Sequence, residues 1–291
     1  MAEKKKVLEK YIILFTCPDR QGIVSKITSL LYEQNVNIIK MEEHVENKEN
    51  LFFIRLVLQS SSAIIENDEF TEKLFSFEHF FNGKLSIYKL SKKDNCAIFV
   101  TKEQLPLYDL LIKHQTNDLN CNIKMVISNH ENLKNVADQF KIPFFHFPLN
   151  SKNKSKIEPQ IINFMKTNNI DIIILARYMQ ILSPDFIQKF EQKIINIHHG
   201  FLPAFKGGKP YRQAWERGVK IIGATAHYVS NDLDEGPIIT QDVISINHTY
   251  SEKDMIRTGK DIERRVLTNA VQAHLDRRII LHDGRTIVFN R

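Results

Sequence analysis

The sequence lacks the motifs that would tie its chemistry to a disulfide framework, a metal or a covalent nucleophile. Only three of its 291 residues are cysteine, Cys17, Cys96 and Cys121, and they form no C-x-x-C pair. Three scattered thiols indicate a reduced compartment rather than disulfides or a zinc site. The sequence also contains no H-E-x-x-H and no G-x-S-x-G motif. We therefore expect neither a metal nor a serine nucleophile.

Long hydrophobic runs are also missing. The apolar run Tyr11–Phe15 after the basic N-terminus is too short for the core of a signal peptide, and no stretch approaches the length of a membrane span. We expect a cytoplasmic protein with no membrane partner. The formal charge is +6, but the lysines are dispersed and do not alternate with aromatics, which argues against nucleic acid as a partner. A solvated basic surface or a polyanionic small substrate remains as the interpretation of this charge.

The first ninety residues follow the order β-α-β-β-α-β. Apolar residues at helical spacing predict a helix over Ile23–Gln34, and a second helix is predicted over Glu66–His79. The predicted strands are Tyr11–Thr16, Asn37–Val45, Leu51–Gln59 and Lys84–Leu90. This order is typical of the ferredoxin-like arrangement. We predict a first domain over residues 1–90, a polar linker over 91–95 and a second domain over 96–291.

The second domain alternates strands and helices and predicts a Rossmann-like, mostly parallel α/β sheet. Its segment Asp171–Ala176 is apolar nearly throughout, as expected for a strand that is buried on both faces. Ser183 and Pro184 predict a helix start, and Ser251 with Asp254 predicts a capping box for a long helix to about Asp276. Such sheets bind ligands at the carboxyl ends of their strands.

Three polar residues near these strand ends suggest a reaction. Asn196 is able to donate a hydrogen bond to an oxyanion, and His198 is able to transfer a proton near neutral pH. Asp234 is able to orient water or accept its proton. Together they suit the attack of water on an acyl carbon. Taken singly, each residue has a simpler interpretation, because Asn196 also suits a strand end and Asp234 also suits a turn.

Metal and phosphate binding are competing interpretations of the same region. His198, His199, His227 and Asp234 are possible ligands, yet adjacent histidines on an extended chain point to opposite sides. The Gly-rich segment 205–209 lacks the spacing of a phosphate loop. The first strand of the second domain runs into Val100–Gln104, which contains no glycine, whereas a phosphate cradle normally needs glycine there.

The strings NIHH, FLPAF, GGKPY, RGVKIIGATAHYV and DLDEGPIITQD resemble the folate-dependent formyltransferase fold and, within it, the formyltetrahydrofolate deformylases. The string ILARYMQILSP resembles the folate-pocket segment of the same family. CPDRQGIVSKI and QNVNII resemble an ACT domain, so that the resemblance covers nearly the whole chain. It implies that Asn196, His198 and Asp234 are catalytic. The implied reaction is hydrolysis of 10-formyltetrahydrofolate by water to formate and tetrahydrofolate, which controls the one-carbon pool and supplies formate for purine biosynthesis.

The resemblance also implies a substrate pocket and no cofactor beyond the folate substrate itself. We assign to this pocket Met179, Gln180, Ile181, Leu182, His227, Asp232 and Leu233. Ile181 and Leu182 have an alternative interpretation as core residues. Two positions depart from the family pattern. Gly200 stands where serine is expected and predicts a looser catalytic loop, and Arg212 replaces an expected histidine with a permanent charge.

Two other functions remain as alternatives. One is a formyltransferase that uses the same folate, with glycinamide ribonucleotide as the acceptor, against which stands the glycine-free Val100–Gln104 turn. The other is a non-enzymatic amino-acid sensor, against which stands the intact catalytic set. In the leading hypothesis His198 and Asn196 stabilise the charge on the formyl oxygen. Asp234 positions and deprotonates water, and His198 helps proton transfer to the leaving nitrogen.

Regulation and assembly are predicted for the first domain. A ferredoxin-like sheet has open edges, so we expect a homo-oligomer, either a dimer or a tetramer. We expect an amino-acid effector between the Asp19–Gly22 turn and Asn37, because amides at a helix start suit a carboxylate. By resemblance, glycine and methionine are the candidates. The alternative is that Gly22 only makes the turn and that the domain only assembles the oligomer.

Overall fold

The computed structural model describes residues 8–65 and 67–290. These residues form two units. The first unit contains residues 8–93 together with Asp276–Ile280 and residues 289–290, and the second contains Asp94–Leu275 together with Leu281–Val288. Within the described part of the chain, no helix combines the length and the apolar composition needed to cross a membrane.

The first unit has the predicted β-α-β-β-α-β order with one additional short helix. Its elements are β1 (Leu8–Pro18), α1 (Ile23–Glu33), β2 (Asn37–Glu46), β3 (Leu51–Ser61), α2 (Ser62–Ile65), α3 (Asp68–Phe81) and β4 (Lys84–Lys89). The strands form an antiparallel sheet in the order β2-β3-β1-β4. The predicted start of the second helix at Glu66 lies outside the described residues. α3 begins at Asp68, where Asn67 Oδ1 accepts a hydrogen bond from the amide of Glu69 at 2.8 Å.

The core of this unit lies between the sheet and its helices. Apolar residues of α1 are buried at the predicted helical spacing, and the same cluster includes Phe70, Leu74 and Phe77 of α3. Strand residues such as Phe15 and Ile54 close the cluster from the sheet side. The apolar residues at the 3.6-residue period of the helices and the apolar residues of the strands therefore pack into one core.

The second unit is an α/β sheet flanked by helices. Its elements are β5 (Asp94–Val100), α4 (Leu105–Gln115), β6 (Cys121–Ser128), α5 (Lys134–Gln139), β7 (Phe144–His146), α6 (Lys154–Thr167), β8 (Ile172–Leu175), α7 (Pro184–Lys189), β9 (Ile194–His198), α8 (Pro210–Glu216), β10 (Ile221–Tyr228), β11 (Ile238–Ser245) and α9 (Glu252–Leu275). A hairpin of β12 (Ile279–His282) and β13 (Arg285–Val288) follows.

The large sheet has the order β11-β10-β9-β8-β5-β6-β7. The neighbouring strands β9 and β8, β8 and β5, β5 and β6, and β6 and β7 are parallel. Strand β10 pairs antiparallel with both β9 and β11. The predicted mostly parallel α/β fold is therefore confirmed. The predicted cap of α9 is also present, since Ser251 Oγ accepts from the amide of Asp254 at 3.2 Å and the amide of Ser251 donates to Asp254 Oδ2 at 3.1 Å.

The division into units differs from the predicted domain limits at the C-terminus. Residues Asp276–Ile280 group with the first unit, although the sequence analysis assigned 96–291 to the second domain. Side-chain hydrogen bonds to backbone carbonyls connect these residues to the first unit. The guanidinium of Arg55 in β3 donates to the carbonyls of Asp276 and Arg277, both at 2.9 Å. The predicted linker also ends early, because Asp94 and Asn95 already pair with β6.

Candidate active site

Strand β9 brings Asn196 and His198 to the edge of the sheet where the parallel strands end. Asn196 lies opposite Leu175 of β8 and opposite His227 of β10, and His198 lies opposite Thr225 of β10. Alternate residues of a strand share a face, so Asn196 and His198 point to the same side of the sheet. Both side chains thus lie at the strand ends, where the sequence analysis expected a ligand site.

His198 and Asp234 form a buried pair. His198 Nδ1 lies 3.2 Å from Asp234 Oδ2, and the two side chains are only 4% and 7% exposed. His198 Nε2 lies 3.1 Å from the carbonyl oxygen of Phe205. Because a carbonyl only accepts, Nε2 carries a hydrogen and donates it.

Asp234 is held in its charged form. Burial alone would raise its pKa, but the hydrogen bond and the charge of His198, with the amide of Gly207 at 3.3 Å, outweigh burial and keep the pKa of Asp234 below its ordinary value. Both of these donors contact Oδ2. The other oxygen, Oδ1, lies 3.8 Å from His227 Nε2, beyond hydrogen-bond distance. Asp234 is thus a carboxylate with one oxygen able to accept a proton from water.

His227 orients the amide of Asn196. His227 Nδ1 lies 2.8 Å from the carbonyl oxygen of Tyr228, to which it donates. Its Nε2 is therefore an acceptor, and Asn196 Nδ2 donates to it at 3.2 Å. Burial lowers the pKa of His227, which keeps the ring neutral. One N–H of the Asn196 amide is used in this contact, and the other remains available for a substrate oxygen.

These residues line a cavity of about 280 Å³ with an apolar rim. Met179, Ile181 and Leu233 are large apolar side chains, yet they are 56%, 64% and 55% exposed. Exposed apolar groups around a polar centre are typical of a ligand site. All the predicted substrate residues line this cavity, namely Met179, Gln180, Ile181, Leu182, His227, Asp232 and Leu233. Leu182 is also part of the hydrophobic core, as its alternative interpretation expected.

Two threonines that the sequence analysis missed fix the surroundings of the cavity. Thr101 Oγ1 accepts from the amide of Met179 at 3.0 Å and donates to Asn129 Oδ1 at 3.1 Å. Thr225 Oγ1 donates to the carbonyl of Gly200 at 2.9 Å and accepts from the amide of Leu202 at 3.0 Å. Each bond joins segments far apart in the sequence, so that no local pattern signals it.

The predicted effect of Gly200 is wrong. A Cβ at this position would lie 2.8 Å from His198 Nε2 and 3.1 Å from Pro210 Cβ. Glycine therefore permits close packing of the loop on His198, and Thr225 holds its carbonyl, so that the loop is fixed rather than loose. Arg212 is exposed and pairs with Glu216, with Nε 2.8 Å from Oε1. It is not among the residues that line the cavity.

The predicted effector site is also wrong as a site within one chain. Asn37 pairs with Gln59, which pairs with Lys10 near the start of β1, whereas the Asp19–Gly22 turn follows Pro18 at the other end of that strand. The eight residue steps from Lys10 to Pro18 span roughly 25 Å. Helix α1 returns the chain to the end of the sheet where β1 began, which separates the two candidate groups.

Metal ligation has no assembled donor set in the described part of the chain. No group of three or more His, Cys, Asp or Glu side chains is placed there to hold a metal ion. Of the four candidate ligands, His199 packs its ring against Tyr211, with centroids 5.8 Å apart. His198 and His227 each use a ring nitrogen in a hydrogen bond to a backbone carbonyl. Chemistry without a metal stays a prediction.

Comparisons with known proteins agree with this geometry. Residues 94–271 match the formyl transferase family model, and residues 11–63 match the ACT domain model. The chain is 41% identical to the formyltetrahydrofolate deformylase of Bacillus subtilis (strain 168), covering 97% of this chain and 94% of that protein. It is 42% identical to the formyltetrahydrofolate deformylase of Synechocystis sp., covering 95% and 97%.

A solved structure agrees as well. The crystal structure of a formyltetrahydrofolate deformylase from Pseudomonas syringae superimposes with a TM-score of 0.92 at 36% identity, covering 99% of this chain and 96% of that one. A parallel sheet with a polar centre at its strand ends, joined to an ACT domain, defines a protein of the formyl transferase class. Within this class the chain belongs to the formyltetrahydrofolate deformylase family.

Proposed function

We propose that the protein hydrolyses 10-formyltetrahydrofolate to formate and tetrahydrofolate, with water as the formyl acceptor. The observation that carries the proposal is the buried His198–Asp234 pair beside Asn196, at the bottom of an apolar-rimmed cavity. A permanent carboxylate, an acid and an amide donor are the groups that hydrolysis of an N-formyl bond needs. The rim of Met179, Ile181 and Leu233 suits the flat pterin ring.

The first step is the attack of water on the formyl carbon. Asp234 Oδ1 accepts the proton of the attacking water, because its partner Oδ2 is already bonded to His198 and Gly207. The free N–H of Asn196 donates to the formyl oxygen, where negative charge develops. The neutral ring of His227 acts as a positioning group, because its Nε2 fixes the amide plane of Asn196.

The second step breaks the bond between carbon and nitrogen. The tetrahedral intermediate collapses to formic acid as the electrons of this bond pass to the folate nitrogen, which takes a proton from His198 Nε2. For this transfer the substrate nitrogen replaces the carbonyl of Phe205 as the acceptor of that N–H. Tetrahydrofolate then leaves as the neutral amine and formic acid ionises to formate. Asp234 releases its proton to solvent, and His198 Nε2 takes up a proton from solvent, which restores both groups.

Formate release without any added acceptor tests this proposal. The purified protein is incubated with 10-formyltetrahydrofolate, and formate and tetrahydrofolate are measured. The two products are expected in equal amounts. A formyltransferase would release tetrahydrofolate only when an acceptor such as glycinamide ribonucleotide is added, and a sensor would release none in either case. Either of these results contradicts the proposal.

We propose that no metal or cofactor takes part. Within the described part of the chain, no group of three or more His, Cys, Asp or Glu side chains is placed to hold a metal ion. Activity is expected to survive exhaustive chelation with EDTA and gel filtration, measured as formate release. Loss of activity with recovery upon addition of one divalent ion contradicts this expectation.

The wider role is proposed on the same basis. The second unit acts as the catalytic domain of a cytoplasmic enzyme, and the formate it releases is available for purine biosynthesis. The first unit, with its ACT match over residues 11–63, binds glycine or methionine and contributes to a homo-oligomer. Titration of the full-length protein with each amino acid at millimolar concentration tests the effector. Absence of binding and of any effect on formate release leaves assembly as the role of this unit.

A further inference from the structure

A buried charged cluster lies beside the cavity and has no part in the two steps above. It consists of Arg177, Tyr211 and Glu263. The hydroxyl of Tyr211 donates to Glu263 Oε1 at 2.6 Å, and Arg177 Nε lies 3.4 Å from Glu263 Oε2. Gly259 gives Tyr211 its room, since a Cβ there would lie 2.0 Å from the hydroxyl oxygen. The cluster is therefore built into the packing of α8 on α9.

Arg177 connects this cluster to the cavity. It follows β8 by two residues, and Leu175 of β8 lies opposite Asn196, so Arg177 stands at the strand ends that carry the reacting groups. It also lines the same cavity as Asn196 and His198. Its backbone φ of 61° is in the left-handed region that side chains rarely adopt.

The guanidinium of Arg177 has unused hydrogen-bonding capacity. Nη1 is buried and has no acceptor within hydrogen-bond distance in the described part of the chain, and the distance of 3.4 Å from Nε to Glu263 is long. Burial also raises the pKa of Glu263, which weakens its ability to balance the charge of Arg177. A buried donor of this kind is unfavourable unless a ligand accepts its hydrogen bond.

Other basic groups on the cavity wall are neutral or paired. His198 is paired with Asp234. Burial and, after it, the charge of Arg177 lower the pKa of His199 to about 3, and burial lowers the pKa of His227. Among the described residues that line the cavity, Arg177 is the one arginine, and none is a lysine. It is the permanent cation in the wall of this cavity.

We infer that Arg177 forms a subsite for a small carboxylate anion, namely formate, in the wall of the cavity. The inference rests on the proposed hydrolysis for the source of this anion, which arises next to Asn196. The Arg177 side chain is 18% exposed, so its guanidinium is able to donate to the formate oxygens, and a planar guanidinium matches a planar carboxylate. Tyr211 and Glu263 position the guanidinium from behind.

Direct binding of ¹³C-labelled formate, followed by NMR at constant ionic strength with chloride as the competing anion, tests the subsite without relying on turnover. Wild-type protein is expected to bind formate saturably. Arg177→Gln is expected to weaken binding by roughly tenfold or more, since a charge-assisted bond is lost. Arg177→Gln with Glu263→Gln removes both charges together, so that no unpaired carboxylate is left buried. Arg257→Gln is the matched control, because Arg257 is 82% exposed on α9.

The outcomes separate this inference from the proposed function. Formate that binds to wild type and to Arg257→Gln, but weakly to the two Arg177 variants, supports the subsite whether or not the protein hydrolyses the folate. Equal binding to all four proteins, or no binding to wild type, overturns it. Product inhibition gives a second readout, because the formate concentration that halves tetrahydrofolate release is expected to rise by the same factor in the Arg177 variants. An inactive wild-type protein contradicts the hydrolysis instead.

Discussion

At the scale of single residues, Asp234 combines a rare backbone conformation with a buried charge. Its φ is 57°, a region that asparagine tolerates well among the non-glycine residues. Asp234→Asn therefore keeps the turn and the shape of the side chain but removes the base. We expect kcat to fall by roughly a hundredfold or more, with little change in the affinity for tetrahydrofolate. Rates of formate release and a fluorescence titration with tetrahydrofolate measure the two quantities.

The control for this variant is Asp261→Asn, because Asp261 is 70% exposed on α9 and lies outside the cavity. It is expected to behave as wild type in both measurements. Formate release by Asp234→Asn at nearly the wild-type rate would remove Asp234 from the mechanism. A large loss of tetrahydrofolate affinity would instead assign it to substrate binding.

The low pKa of Asp234 also predicts how stability depends on pH. Burial opposes this shift, but His198 and Gly207 outweigh it, so the folded state favours the carboxylate. A group with a depressed folded pKa contributes stability above its unfolded pKa of about 3.9 and loses that contribution as the pH falls through the folded value. The difference in unfolding free energy between wild type and Asp234→Asn is expected to stay constant from pH 7 to about 5 and to shrink below about 4. Urea unfolding at each pH measures it, and shrinkage already above pH 6 contradicts the assignment.

The residues of the site differ in how far sequence predicts them. Asn196 and His198 share one short motif, and Asp234 stands in an acidic turn, so local patterns make all three candidates, and the family resemblance selects them as a set. Arg177 and Glu263 are 86 residues apart in number, and their pairing depends on where α9 packs. The prediction for Gly200 relied on the conformational freedom of glycine, whereas its contact with His198 depends on the tertiary packing of the loop.

At the scale of elements, the turn after β5 supports the cavity wall. Thr101 Oγ1 accepts the amide hydrogen of Met179, and Thr101 is only 8% exposed. Thr101→Val keeps the shape of the side chain and leaves this amide without its acceptor. We expect KM for the folate to rise roughly fivefold or more, with a smaller change in kcat, since an unsatisfied buried donor shifts the wall. Initial rates at varied folate concentration measure both parameters.

Thr167→Val is the matched control for this variant. Thr167 is exposed at the end of α6, and its hydroxyl donates to the carbonyl of Asn163 within the same helix. It is expected to leave KM unchanged. If Thr101→Val also leaves KM unchanged, or lowers only kcat, the wall does not depend on this hydrogen bond.

Element order followed from periodicity, whereas short strands and register did not. β7 has three residues between two prolines, Pro143 and Pro148, too few for any period to show. The β12–β13 hairpin had a usable signal in Asp283-Gly284, since both residues have positive φ, as a two-residue hairpin turn requires.

The prediction of the effector site failed for another reason. Proximity of Gly22 to Asn37 depends on strand register, which fixes them at opposite ends of the sheet.

At the scale of the whole molecule, the first unit joins residues from both ends of the chain. Arg55 holds Asp276 and Arg277 by their carbonyls, and Lys40 donates to the carbonyl of Asn290 at 3.1 Å. Backbone carbonyls carry no residue-specific pattern, so that the sequence offered no sign of this grouping. Residues Asp276–Ile280 and 289–290 thus belong to the first unit, whereas Leu281–Val288 belong to the second.

The sheet of the first unit also has two edge strands, β2 and β4, and the outer side of each pairs with no other strand among residues 8–65 and 67–290. On β2, Ile39 and Met41 are each 45% exposed, which is typical of a surface that another chain covers.

We expect the wild-type protein to be at least a dimer at micromolar concentration by light scattering. Charges on an edge strand oppose pairing, so Ile39→Lys with Met41→Lys is expected to shift the mass towards that of the monomer. Ile112→Lys, at a 49% exposed position on α4, is the control and should keep the wild-type mass. A monomeric wild type contradicts the assembly, and an unchanged mass in the double variant moves the interface away from β2.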